Sequence, residues 1–82
     1  MIEKRSVPRR ISSLPADLRF VGVKDPVRGI VKNISEQGAL IEVLSADEVP
    51  DRVVLSIWDS NVVHLCEVVR RTPHCLGLRF LA

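Results

Sequence analysis

The sequence predicts an all-β domain, an antiparallel sandwich or a small barrel, on three observations. Apolar and polar residues alternate in six short runs, separated at regular spacing by clusters of Pro, Gly, Asp, Asn and Ser, the pattern of short strands joined by turns. No segment keeps a helical period for more than a single turn. With 82 residues there is one domain and no second core. A chain this short buries only about 60–65% of its unfolded surface, so it gains from an architecture that closes its sheet edges.

Residues 1–13 have neither period. Pro8 fixes its own φ and biases Val7 toward extended backbone, so Arg5-Ser6-Val7-Pro8-Arg9 reads as an extended or turned loop. This segment forms a basic arm, expected to be mobile in the free protein, ahead of a β-domain over 16–82. The first strand alternates over 17–23, with Leu18 and Phe20 on one face, and Lys24-Asp25-Pro26 turns the chain. The second, 28–34, has inconsistent parity. Val31 looks buried opposite Lys32, yet Ile34 shares the parity of Lys32, so a bulge is expected near Asn33. Ala39, Ile41 and Val43 form the inward face of the third strand. A polar loop over 45–51 precedes the fourth, whose inward residues are Val53, Leu55 and Ile57 and whose end, Trp58, is expected to cap the core. Asp59-Ser60-Asn61 is a turn. The longest strand runs over 62–71, Thr72-Pro73-His74 turns, and the last strand carries Leu76, Leu78 and Phe80 inward. Gly77 within it indicates a bend or a close backbone approach.

Composition narrows the function. Hydrophobic residues at 46% and charged residues at 27% are those of a soluble globular domain. No apolar run approaches the roughly 20 residues of a membrane span. The N-terminus has no apolar core of a secretory signal. The expected compartment is therefore the cytoplasm, with Cys66 and Cys75 reduced. The net charge of +2 is uneven: Lys4, Arg5, Arg9 and Arg10 against Glu3 give the first ten residues +3, and the rest of the chain carries −1. Duplex DNA binding calls for a basic face across the fold. Charge gathered in one arm points to a small anionic partner instead.

Two polar elements stand out. R-x-x-x-R lies at Arg5 and Arg9, and N-x-S-x-x-G lies at Asn33, Ser35 and Gly38, between the second and third strands. Asn and Ser bend a chain by bonding nearby backbone groups, and Gly accepts positive φ without steric cost. With the closing strand Gly77-Leu78-Arg79-Phe80, this arrangement resembles the PilZ domain, a bacterial receptor for the second messenger cyclic di-GMP, along essentially the whole chain.

The resemblance implies a six-stranded antiparallel barrel of the split-barrel type, with the arginine arm across its mouth. It assigns contacts with phosphates and guanine edges to Arg5 and Arg9, contacts with guanine and the ligand backbone to Asn33 and Ser35, and the shape of the turn to Gly38. Asn33 replaces the Asp of many members and removes a formal charge there. Lys4 occupies the position linked in the family to binding one ligand or a stacked pair, and Lys4 and Arg10 are accessory candidates. Many members carry a further helix after the last strand; the sequence shows none, which leaves a barrel face for a protein partner.

The chemistry of these side chains suits the roles. A guanidinium offers two parallel donors that match guanine O6 and N7 or phosphate oxygens, a contact worth about 1–3 kcal/mol. Ordering backbone costs roughly 1–2 kcal/mol per residue, so two arginines, two phosphates and the restriction imposed by Pro8 are needed together. His64, Cys66, His74 and Cys75 match no zinc module, and neither a metal nor another cofactor is expected. No base-orienting group or oxyanion hole accompanies a Cys/His pair, so an enzyme is not expected. Arg70 and Arg71 read first as a solvated strand end and second as an extension of the anion site. Two alternatives to the receptor are a barrel that serves only as a protein–protein adaptor and a barrel for single-stranded nucleic acid. The latter relies on aromatic platforms, and this chain has no Tyr, one Trp and two Phe.

Overall fold

A computed structural model of the protein describes residues 10–60 and 62–81. Its six antiparallel strands are β1 (Arg10–Arg19), β2 (Val27–Ile34), β3 (Gly38–Val43), β4 (Arg52–Ile57), β5 (Val63–Arg71) and β6 (Cys75–Phe80). They close into a barrel in the order β1-β2-β3-β6-β5-β4. The expected all-β barrel is thus observed, and closure leaves no unpaired edge. The helical element among the described residues is one 3₁₀ turn, Ala46–Glu48, and none of their helices is long and apolar enough to cross a membrane.

The alternating residues of each strand fill the interior. Leu18, Val31, Ile41, Leu55, Cys66 and Leu76 are fully buried, and Leu14, Phe20, Ile34, Val68 and Phe80 pack against them. Ala46 and Val49 of the β3–β4 loop close the core. Arg71 holds that loop down: its guanidinium donates to the carbonyls of Ala46 (2.5 Å) and Val49 (2.7 Å) and pairs with Asp51 at 3.3 Å.

Three expectations need correction. The first strand begins at Arg10, so residues 10–13 belong to the sheet and not to the arm, and it ends at Arg19 because the chain turns through Gly22 at φ 90°. Pro15 is tolerated inside β1 for a geometric reason. Its carbonyl accepts the Trp58 N–H at 3.0 Å, so the side on which it lacks an N–H faces the point where β4 has ended. Trp58 does not cap the core. It stands on the outer face, 52% exposed, with the Arg28 guanidinium 5.1 Å from its ring centroid. Finally β1, at ten residues, is longer than β5 at nine. Asn61, expected in the β4–β5 turn, lies outside the described residues.

The pairing is interrupted at three places: between Ile11 and Leu14 on β1, and at two bulges, on β2 and β5, that bear on the surface around the β2–β3 turn. On β2 the pairing steps from Val31↔Ile41 to Asn33↔Leu40, leaving Lys32 extra. This is the expected irregularity, and it lets Val31 and Ile34 both face the core. On β5 the pairing steps from Val68↔Leu78 to Arg70↔Gly77, leaving Val69 extra.

Candidate functional site

The two bulges flank one row that crosses four strands: Asn33, Leu40, Gly77 and Arg70 on β2, β3, β6 and β5. One extra residue re-aims every side chain beyond it. The row, the β2–β3 turn and Arg79 line a concavity of about 360 Å³. Asn33, Ser35 and Gly38 are therefore brought together at one place.

The turn is built by its own residues. The Ser35 N–H donates to the Gly38 carbonyl at 2.9 Å, and the Gln37 N–H donates to Ser35 Oγ at 3.2 Å. Oγ thus accepts within the turn and keeps its own proton to donate. The Gln37 carbonyl accepts the Phe80 N–H at 2.8 Å, which ties the turn to β6. Gly38 does not have positive φ. It is required by proximity, since a Cβ there would meet the Leu78 carbonyl oxygen at 2.0 Å.

Asn33 Oδ1 is buried and has no hydrogen-bond partner among the described residues. Leaving a buried acceptor unpaired costs about 1–3 kcal/mol, so a donor that arrives with a ligand or an arm is favoured there. Opposite it, the Arg70 side chain lies over Gly77, where a Cβ would come within 2.9 Å of Arg70 Cβ. Gly77 thus makes room for the aliphatic stem of Arg70, consistent with the close approach expected at this residue. Arg70 makes no ion pair among the described residues, whereas Arg79 is paired with Glu67. The concavity therefore combines an unpaired acceptor, a free hydroxyl proton and an uncommitted cation. Lys4, Arg5 and Arg9 lie outside the described residues, as does the side chain of Arg10. The Arg10 backbone pairs with Ile34, beside Asn33, so the arm joins the barrel at the rim of this concavity.

A family model for the PilZ domain matches residues 3–82, arm and barrel together. The chain belongs to the PilZ domain family. PilZ domains are a receptor family for cyclic di-GMP, and they bind or adapt rather than catalyse. No curated protein matches the chain.

Within this PilZ barrel, sequence reasoning underweighted Arg70 and passed over Arg79. Strict alternation sets Arg70 apart from Val69 and Arg71, and two adjacent valines give no sign of the bulge that brings Arg70 into register with Gly77, on the row of Asn33. Among the described residues no group of three or more His, Cys, Asp and Glu side chains is placed to hold a metal ion. Burial pushes the Cys66 thiol up to about 11, and His64 stacks on Phe80 with ring centroids 4.0 Å apart.

Proposed function

We propose that this PilZ domain is a cytoplasmic receptor for cyclic di-GMP. Its arm supplies Arg5 and Arg9 to the phosphates and guanine edges, with Lys4 and Arg10 as neighbours. Asn33 and Ser35 take the base edge and ligand backbone, and Gly38 sets the turn that carries them. Arg70 adds a further cation. Binding orders the arm, a disorder-to-order change that alters what a protein partner meets.

The observation that supports this reading most directly is that Asn33, whose Oδ1 has no partner among the described residues, and Arg70, which makes no ion pair among them, line one concavity beside the Arg10–Ile34 pair that begins β1. A nucleotide brings N–H donors for the first and phosphate for the second. A row of aromatic stacking platforms is not what the barrel offers: Phe20 and Phe80 pack against the core, which leaves Trp58 as a single exposed ring.

Calorimetric titration with cyclic di-GMP, GTP and a short single-stranded oligonucleotide tests the reading. Saturable binding of the cyclic dinucleotide alone is expected, with slowed amide exchange over residues 4–9. Equal binding of all three, or of none, would overturn it.

A further inference from the structure

A second concavity, about 540 Å³, lies on the outer face away from the turn. Its floor is a row that runs from Trp58, just after β4, across β1, β2 and β3. The Trp58 N–H donates to the Pro15 carbonyl at 3.0 Å, Pro15 pairs with Ile30, and Ile30 pairs with Glu42. Leu44, 91% exposed, closes one side. The groove is apolar along its length and acidic at the Glu42 end. Of the basic groups within it, Arg28 lies over the Trp58 ring and His74 Nδ1 is hydrogen-bonded with the Leu44 carbonyl at 2.8 Å. The cross-strand neighbour of Arg28 is Asp17, whose Oδ1 is buried with no hydrogen-bond partner among the described residues. Arg28 therefore has a second place to go, and taking it would uncover the indole face.

An occupant that fits presents an apolar residue and a proline ring to Trp58, Pro15 and Ile30, with a cation for Glu42. Flat apolar grooves with an aromatic wall bind extended proline-containing segments because little ordering entropy remains to be lost. The chain contains such a segment, Val7-Pro8-Arg9, in its basic arm. Its own groove is poorly placed for it. Arg10 pairs with Ile34, and Ile30 lies four residues back along β2, about 13 Å away. Pro8, at most about 7 Å from Arg10, would have to double back along β1 within two residues even to approach it.

We infer that the groove receives the arm of a second copy, Val7-Pro8 against Trp58 and Arg9 toward Glu42. Reciprocal exchange closes a two-fold dimer. In the part that rests on the proposed function, arm exchange and ligand compete for Arg9, so cyclic di-GMP drives the dimer apart.

The chain's single Trp, in the absence of Tyr, reports directly. Sedimentation of the full chain over a concentration series should show reversible dimerisation, with Trp58 emission changing on dilution. Leu44→Asp, at an exposed position, and Val7→Asp should each give monomers. Mixing these two variants should restore association through the single intact arm–groove contact. A synthetic peptide of residues 1–12 should change Trp58 emission of Val7→Asp, and Glu42→Arg should weaken that binding about tenfold. A dimer that survives both variants, or a monomer whose Trp58 ignores the peptide, overturns the inference. Ligand that binds without dissociating the dimer overturns the competition. If calorimetry shows no ligand binding, the receptor reading fails while the Leu44→Asp result still decides arm exchange.

Discussion

Gly38 and Leu78 approach so closely that a Cβ on the glycine would sit 2.0 Å from the leucine carbonyl oxygen. Backbone cannot yield as a flexible side chain does, so the β2–β3 turn is pressed onto β6 because residue 38 has no side chain. Gly38→Ala should destabilise the barrel by about 1–3 kcal/mol in urea denaturation, the cost of overpacking. Gly38→Asn decides the cause. Asn tolerates positive φ, so a conformational requirement would spare it. Crowding predicts that Asn costs at least as much as Ala.

Arg71 is placed to act on stability. Its guanidinium serves two loop carbonyls and Asp51, and its side chain is only 30% exposed. Arg71→Ala should lower stability by about 1.5–3 kcal/mol, as for hydrogen bonds to a charged group. Affinity for cyclic di-GMP should stay at the wild-type value in calorimetry performed well below the melting point. A loss of affinity in the folded variant would place Arg71 in the site.

Cys66 links stability to alkaline pH. Burial raises its thiol from 9.0 to about 11, so the folded state keeps a proton that the unfolded state releases above about 9. Stability present below pH 9 should therefore decline as the pH rises toward 11, by up to about 3 kcal/mol for the two units. Cys66→Ala should start lower, because of the cavity, and lose the part of the slope due to the thiol. At neutral pH the half-buried Cys75 should react with an alkylating reagent while Cys66 stays protected.

Most of the barrel is legible because β3, β4 and β6 keep strict alternation between punctuating residues, and β2 and β5 depart from it at one bulge each. β1 was read late and short because Ser12, Ser13 and Pro15 look like loop. Their acceptability depends on where β4 ends, which no local pattern records. The bulge at Lys32 could be inferred, since Val31 and Ile34 make incompatible demands on parity. The bulge at Val69 could not, because valine fits either face. That difference explains why Asn33 was recognised as a candidate and Arg70 was ranked low. Trp58 was misjudged through its size: a large apolar ring suggests the core, but its row with Pro15 and Ile30 faces outward.

The arginines decide between a specific site and diffuse charge. Arg9 belongs to an arm with few apolar residues, and Arg70 is exposed without an ion pair among the described residues. Arg9→Ala and Arg70→Ala should each leave stability within roughly ±0.5 kcal/mol, as surface changes usually do. Each should cost cyclic di-GMP affinity about 1–3 kcal/mol, the worth of one bidentate contact. Arg9→Lys should recover part of that loss, since an ammonium keeps the charge but not the planar pair of donors. Arg19 serves as the charge-matched control: it is exposed and makes no ion pair among the described residues. Arg19→Ala removes the same charge away from Asn33 and should bind normally. Salt separates the two mechanisms, because screening weakens exposed long-range attraction far more than a desolvated contact. Equal losses for Arg9→Ala, Arg70→Ala and Arg19→Ala, all vanishing at high salt, would show that the arm and strand contribute only positive potential.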